Sequence, residues 1–202
     1  MSWSRLCAQW TQTPGPSGES VQALVTNGTN LFAGTSSHGV YRSSDNGAHW
    51  SSCSVGLKIN DIRSFAIALT TDTTRKNLFA GTSVGGVFLS TNNGDSWGDI
   101  SIRGIGNSIT ALAVSTQSTG GVSIYAGTDV SGVYRSTNNG TSWEAVNSGL
   151  HLPLAVNALL VVPNPSGEVN VLAGTGDGLY LSTNRGETWE PWGQGLSGIT
   201  VN

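Results

Sequence analysis

"YRSSDNGAHW", residues 41–50, sets a polar, glycine-containing turn between an aromatic residue and a tryptophan, and nearly the same ten letters return three more times. The turn reads "SSDNGAHW" at 43–50, "STNNGDSW" at 90–97, "STNNGTSW" at 136–143 and "STNRGETW" at 182–189. A second marker, "AGT", keeps the same beat at 33–35, 80–82, 126–128 and 173–175, at spacings of 47, 46 and 47 residues. Self-similarity at this period points to a propeller or a solenoid.

The apolar pattern inside one period selects between them. In the third copy, "ITALAVS" (109–115) alternates as a half-buried strand does, followed by "SIYAGT" (123–128), "GVYRST" (132–137) and "TSWEAV" (141–146), each bounded by turn residues. Asn27-Gly28 reads as a tight hairpin whose two central residues both take positive φ. Four short strands every 46 or so residues predict an all-β propeller of four blades, over about 20–54, 60–101, 107–147 and 155–192. Residues 1–19 would add an outer-strand segment, with Trp10 to Thr13 as its strand, and 197–202 would open a further inner strand. Ala33, Gly34, Thr35 and their counterparts are expected to be small because stacked sheets bring backbones close there.

Composition narrows the function classes. Charged residues make up 10% of the 202, the net charge is -3, and the nine Lys and Arg are scattered singly, so no basic stripe faces a nucleic acid. No apolar run has the roughly 20 residues a bilayer span needs, and "MSWSRLCAQW" lacks the basic start and apolar core of a signal peptide. Cys7 and Cys53 form no disulfide framework or metal-ligand spacing; two buried thiols are expected.

The repeated Ser-x-Asp/Asn-x-Gly-x-x-Trp pattern resembles the Asp-box, or BNR repeat, of sialidase-like propellers, the sortilin head, xyloglucan-cleaving glucanases and Ycf48-type photosystem assembly factors. The resemblance implies that each box is the hairpin between the third and fourth strands, on the side away from the ligand, with a structural role. The boxes would then be Ser43, Asp45, Gly47 and Trp50; Ser90, Asn92, Gly94 and Trp97; Ser136, Asn138, Gly140 and Trp143; and Ser182, Asn184, Gly186 and Trp189. Side-chain oxygens at Asp45, Asn92, Asn138 and Asn184 suit bonds to backbone N–H groups just ahead, the glycines supply positive φ, and the tryptophans bury their rings on the hairpin. Asn in three of four copies argues against a calcium site, so no metal and no cofactor are expected.

By the same resemblance the ligand face is built by the loops between the second and third strands and those leading to the next blade. The first set centres on His38, Val84, Asp129 and Asp177; the second holds Lys58, Asp61, Arg103, His151, Trp192 and Gln194. His38 with Asp129 and Asp177 is a candidate constellation, weighed against scattered solvated loop residues. Trp192 suits stacking on a sugar, or packs on its own loop. Arg42 and Arg135 stand where other copies have Leu89 and Leu181, and strand-face solvation accounts for them.

Enzyme chemistry finds little footing. The resemblance to sialidases would require three clustered arginines and a tyrosine backed by glutamate, whereas Tyr41, Tyr134 and Tyr180 share one repeat position; the Arg-Ile-Pro signature is absent. The xyloglucan-cleaving relatives use paired carboxylates on inserted loops, which these repeats lack. The expected function is a non-catalytic binding or scaffold module for carbohydrate or a protein surface. The alternative is a fragment or relative of a propeller glycoside hydrolase. The resemblance fits an extracellular setting. Because Asp-box propellers have six or more blades, two chains closing an eight-bladed ring is a further expectation, beside a four-bladed monomer and a piece of a longer propeller.

Overall fold

The computed structural model describes residues 15–16, 19–69, 76–104, 107–116, 122–151, 154–164, 169–193 and 198–201. Cys7, the segment Trp10 to Thr13 and Gln194 lie outside them. The described residues contain no helix and form four antiparallel four-stranded meanders. The first comprises β1 (Val21–Thr26), β2 (Leu31–Thr35), β3 (Val40–Ser43) and β4 (Ser51–Ser52). The second comprises β5 (Ile62–Leu69), β6 (Lys76–Thr82), β7 (Val87–Ser90) and β8 (Gly98–Asp99). The third comprises β9 (Ile109–Thr116), β10 (Val122–Thr128), β11 (Val133–Ser136) and β12 (Glu144–Ala145). The fourth comprises β13 (Val156–Pro163), β14 (Val169–Thr175), β15 (Gly178–Ser182) and β16 (Glu190–Pro191). These are the blades of a β-propeller.

Two local expectations need correction. The fourth strands are two residues long, not six, because the polar turn occupies the chain up to the tryptophan; only Glu144 and Ala145 pair with β11. The hairpin at Asn27-Gly28 has a four-residue loop in which Gly28 alone takes positive φ, at 95°. There the Asn27 side-chain oxygen accepts the backbone N–H of Asn30 at 2.8 Å, so the amide closes the turn.

The inner strands pack in chain order, β1 on β5, β5 on β9 and β9 on β13. Between each pair lies one apolar cluster with a constant recipe: the forward face of one blade against the backward face of the next. Val25, Phe32, Val40 and Cys53 meet Ile62, Phe65, Leu78 and Trp97. One blade on, Ala66, Phe79, Val87 and Ile100 meet Ile109, Leu112, Ile124 and Trp143. Then Ala113, Tyr125, Val133 and Val146 meet Val156, Leu159, Val171 and Trp189.

This contact dictates the "AGT" glycines. A Cβ on Gly34 would lie 2.5 Å from Ile62, on Gly81 2.6 Å from Ile109 and on Gly127 2.6 Å from Val156, distances real Cβ atoms do not show. Each adjoining threonine is buried and its hydroxyl donates across its own hairpin, Thr35 to the Gly39 carbonyl at 3.0 Å and Thr128 to that of Gly132 at 2.9 Å.

Among the described residues the array does not close: β13 and β1 form no interface like the three above. At its far end Val201 sits 2.9 Å from where a Gly174 Cβ would be, the relation Ile62 has to Gly34. Its backbone N–H donates to Thr175 at 2.9 Å.

Candidate functional site

The four polar turns share one network. A serine hydroxyl accepts the glycine N–H four residues on, Gly47 from Ser43 at 2.8 Å and Gly140 from Ser136 at 2.9 Å, and donates to the Asp or Asn oxygen, Ser43 to Asp45 at 2.9 Å and Ser136 to Asn138 at 3.0 Å. That oxygen accepts the N–H four residues further, from His49, Ser96, Ser142 and Thr188 at 2.9–3.0 Å. The residue before each glycine takes positive φ too, Asn46, Asn93, Asn139 and Arg185, at 56–62°. The Asp/Asn choice has a local cause. Where the side chain is Asn, its NH2 donates to a hydroxyl four residues on, Ser96, Ser142 or Thr188, at 2.8 Å. Where it is Asp45, the residue four on is His49, whose Nδ1 lies 2.6 Å from Oδ2. The N–H of His49, its ring and the Ser43 hydroxyl hold the Asp45 carboxyl down at about 2.

The tryptophans reach further than their own hairpin. Trp97 Nε1 donates to the Cys53 carbonyl at 2.8 Å, Trp143 to Ile100 at 2.9 Å and Trp189 to Val146 at 2.7 Å, each in the preceding blade. Trp50, with no preceding blade among the described residues, turns its Nε1 to Gly47 of its own turn at 3.1 Å. Arg42 and Arg135 differ from the solvation expected of them: each straps the next blade's turn. Arg42 donates to the Asn93 carbonyl at 2.8 Å and to Asp95 at 2.6 Å. Arg135 donates to the Arg185 carbonyl at 2.8 Å and pairs with Glu144 at 2.7 Å. The polar turns are thus fastenings between blades.

The loops separate into two rims. On one, loops between the second and third strands bond to segments entering the next blade, Gly39 N–H to Asn60 at 2.8 Å and Gly132 N–H to Leu154 at 2.9 Å. On the other, the Asn27 hairpin meets a polar turn, Asn27 Nδ2 donating to Asn93 Oδ1 at 2.5 Å.

The candidate residues of the first rim are dispersed into local pairs. His38 Nδ1 lies 2.5 Å from Glu19. Asp129 accepts the Ser108 N–H at 3.1 Å and so ties its loop to the start of β9. Asp61 pairs with Arg63 at 2.8 Å. Lys58 donates to Asp99 at 2.9 Å. The Ser101 hydroxyl and then Lys58 hold the Asp99 carboxyl down at about 2. Arg103 lines a groove of about 590 Å³ with Lys58, Asp99 and Thr141. Trp192 stands at the repeat position of Cys53, Ile100 and Val146: its N–H donates to Leu179 as Val146 donates to Val133.

Two candidates come together. Asp177 Oδ2 accepts the Tyr180 hydroxyl at 3.1 Å and lies 3.6 Å from His151 Nδ1, and the His151 and Tyr180 rings meet edge-on at 5.8 Å. Burial, then the Asp177 bond and charge, raise the Tyr180 hydroxyl pKa. Tyr180 was not among the sequence candidates, because its repeat position reads as packing. The signal was the loop "TGDGL", one residue shorter than its three counterparts, which draws Asp177 over the tyrosine. Among the described residues no group of three or more His, Cys, Asp or Glu could hold a metal ion. The Cys53 thiol is buried and pushed up to about 11 by that burial.

The family model of the DUF6242 beta propeller domain matches residues 4–160. The chain belongs to this family. No curated protein sequence matches the DUF6242 chain. Among solved structures it is similar to an ancestral GH74 enzyme, at 24% identity and a TM-score of 0.69 over 91% of this chain and 25% of that one. It is similar to the GH74 xyloglucanase from Xanthomonas campestris, at 19% identity and a TM-score of 0.68 over 95% of this chain and 33% of that one. YCF48 bound to D1 peptide matches at 17% identity and a TM-score of 0.52, over 85% of this chain and 53% of that one. The DUF6242 chain spans a quarter to a third of the GH74 enzymes' length, and these likenesses speak for the fold alone. No helix among the described residues is long and apolar enough to cross a membrane.

Proposed function

We propose that the chain is a non-catalytic binding module whose ligand, a protein surface or a carbohydrate, meets the rim of His38, Asp129, His151 and Asp177. The observation that carries this reading is an internal comparison of the four blades. Residues held constant, the "AGT" and polar-turn positions, are consumed by contacts that hold the array together. Residues that differ stand at the tips of one rim, where Val84 and Val130 are exposed on the loops equivalent to those of His38 and Asp177. Function on a repeated scaffold resides in such departures. The polar turns take the part the Asp-box resemblance implies for them, and the hydrogen bonding of their Asp and Asn oxygens supports it.

Within the rim, the Asp177, His151 and Tyr180 group offers an acceptor, a donor and an aromatic edge in one place. That mixture suits the amides of a peptide and the hydroxyls of a sugar. Asp129 and Asp99 are each engaged in holding a loop, which favours binding over the glycoside hydrolase alternative, where two carboxylates must face the scissile bond. The test is to probe the chain against glycan and peptide arrays and in parallel against xyloglucan for release of reducing ends. The reading expects saturable binding weakened at least tenfold by Asp177→Ala, with no reducing ends released. Turnover of xyloglucan, or binding indifferent to every rim substitution, would overturn it.

A further inference from the structure

The three seams between blades are not fastened alike. At the first, the Trp97 backbone N–H donates to the Val55 carbonyl at 2.9 Å, and at the third that of Trp189 donates to Ser148 at 2.8 Å. A glycine follows each acceptor and presses on the same tryptophan: a Cβ on Gly56 would run into the Trp97 carbonyl, and one on Gly149 into that of Trp189. Arg42 and Arg135 strap these two seams as well. The middle seam keeps the ring bond of Trp143 to Ile100 and lacks the rest. Leu89 stands at the strap position, and among the described residues no backbone carbonyl accepts the Trp143 backbone N–H. The cause is one extra residue. Gly104 follows Trp97 by seven positions, where Gly56 follows Trp50 and Gly149 follows Trp143 by six. The longer loop stands off the third blade: among the described residues nothing lies within 4 Å of where a Gly104 Cβ would be, and Trp143 is half-buried where Trp97 and Trp189 are buried. Between this loop and the polar turn of the third blade runs the groove of about 590 Å³.

The groove is cationic in a chain whose net charge is -3. Arg103 is exposed and, alone among the described Lys and Arg, has no acceptor for its side chain. Lys58 reaches in from the loop one seam earlier and pairs with Asp99 at 2.9 Å, its side chain 71% exposed. Such a pair holds little energy and leaves the ammonium free to share another anion. Thr141 adds an exposed hydroxyl, and the lining holds one apolar side chain, Ile100, with Gly140 packed over it. We propose that this groove is a second ligand site, separate from the rim of Asp177 and not resting on it, and that it takes an anionic saccharide. The carboxylate or sulfate of the sugar lies on Arg103 and Lys58, and ring hydroxyls bond to Thr141 and Asp99. A guanidinium offers paired donors that match the oxygens of either anion, and a carboxylate accepts from hydroxyls. An acidic peptide has less to hold it. Peptides anchor on apolar pockets or add to a strand edge, whereas Ile100 is covered and β8 offers two residues.

Calorimetric titration of the chain at low salt with four probes tests the site: a galacturonate tetramer, a sulfated galactose tetramer, the neutral galactose tetramer and a tetraglutamate peptide. At least one anionic tetramer should bind, the tighter of the two naming the anion, and the neutral tetramer and the peptide should bind at least tenfold more weakly. Arg103→Ala should weaken the anionic tetramer at least tenfold, Arg103→Lys should restore part of the loss, and Asp177→Ala should leave it unchanged. Arg103 is exposed, so its variants should melt with the wild type. Binding of neither anionic tetramer would overturn the proposal. So would a neutral tetramer or a peptide that binds as tightly, or binding that follows Asp177 and ignores Arg103, since the ligand then sits on the rim.

Discussion

Trp97 Nε1 donates to the carbonyl oxygen of Cys53, 2.8 Å away and 44 residues back in the chain. Each polar turn is closed by its own side chains, and this one is then locked to the blade before it. The lock recurs at Trp143 and Trp189. Arg42 and Arg135 add a strap in the opposite direction. A propeller's blades touch only their neighbours, so its stability resides in such contacts between adjacent units.

Gly127→Ala should destabilise the chain by about 1–3 kcal/mol, because its Cβ would lie 2.6 Å from Val156 in a packed interface that can only shift as a unit. Gly176→Ala is the control: nothing lies within 4 Å of its Cβ, and its effect should stay within about 0.5 kcal/mol. Urea unfolding of both measures the difference. Equal midpoints would contradict close backbone approach as the reason for glycine.

Arg135→Ala removes a guanidinium that donates to the Arg185 carbonyl and pairs with Glu144. A loss of about 1–3 kcal/mol is expected, as for hydrogen bonds to charged groups. The same denaturant series reports it, and a change below about 0.5 kcal/mol would return Arg135 to a solvated role.

These contacts explain how far the sequence could be read. The period, the strand pattern and the polar turn identify equivalent positions, so the blades and their small residues were legible at Gly34, Gly81 and Gly127. Periodicity does not say which neighbour a residue faces. Hence Trp97 reads as burying its ring on its own hairpin and Arg42 as solvated, and the repeat position that Trp192 shares with Cys53, Ile100 and Val146 goes unnoticed. The short fourth strands escape for a related reason: the turn network reaches as far as Thr188, beside Trp189, and leaves only Glu190 and Pro191 to pair. Of the rim, His151 and Asp177 were legible singly, and Tyr180 was hidden by its packing position.

Asp45 gives a pH signature. Its folded value of about 2 lies below the ordinary 3.8, so the unfolded chain takes up the proton first as the pH falls. The contribution is therefore complete above pH 4 and lost between about 4 and 2. Carbon-detected NMR should place its midpoint near 2, and His49→Ala should move it upward. A midpoint near 4 in the wild type would contradict the bonds to His49 and Ser43.

Dialysis against a chelator should leave the melting temperature unchanged. The turn oxygens are occupied by N–H and O–H donors, as Asp45 Oδ1 is by Ser43 and His49, and a bound ion would stabilise the fold by mass action. A drop of more than a few degrees would identify a structural ion.

The central claim, that the repeated turns fasten blade to blade, is tested most directly by denaturant unfolding of Trp97→Phe beside Trp97→Ala. Phenylalanine keeps a buried ring but loses the N–H donated to Cys53 along with part of the indole volume, so about 1–3 kcal/mol should be lost with the carbonyl left unpaired. Alanine should lose about 3–5 kcal/mol, the cost of emptying a large buried aromatic site. A Trp97→Ala chain as stable as the wild type to within about 1 kcal/mol would contradict the claim.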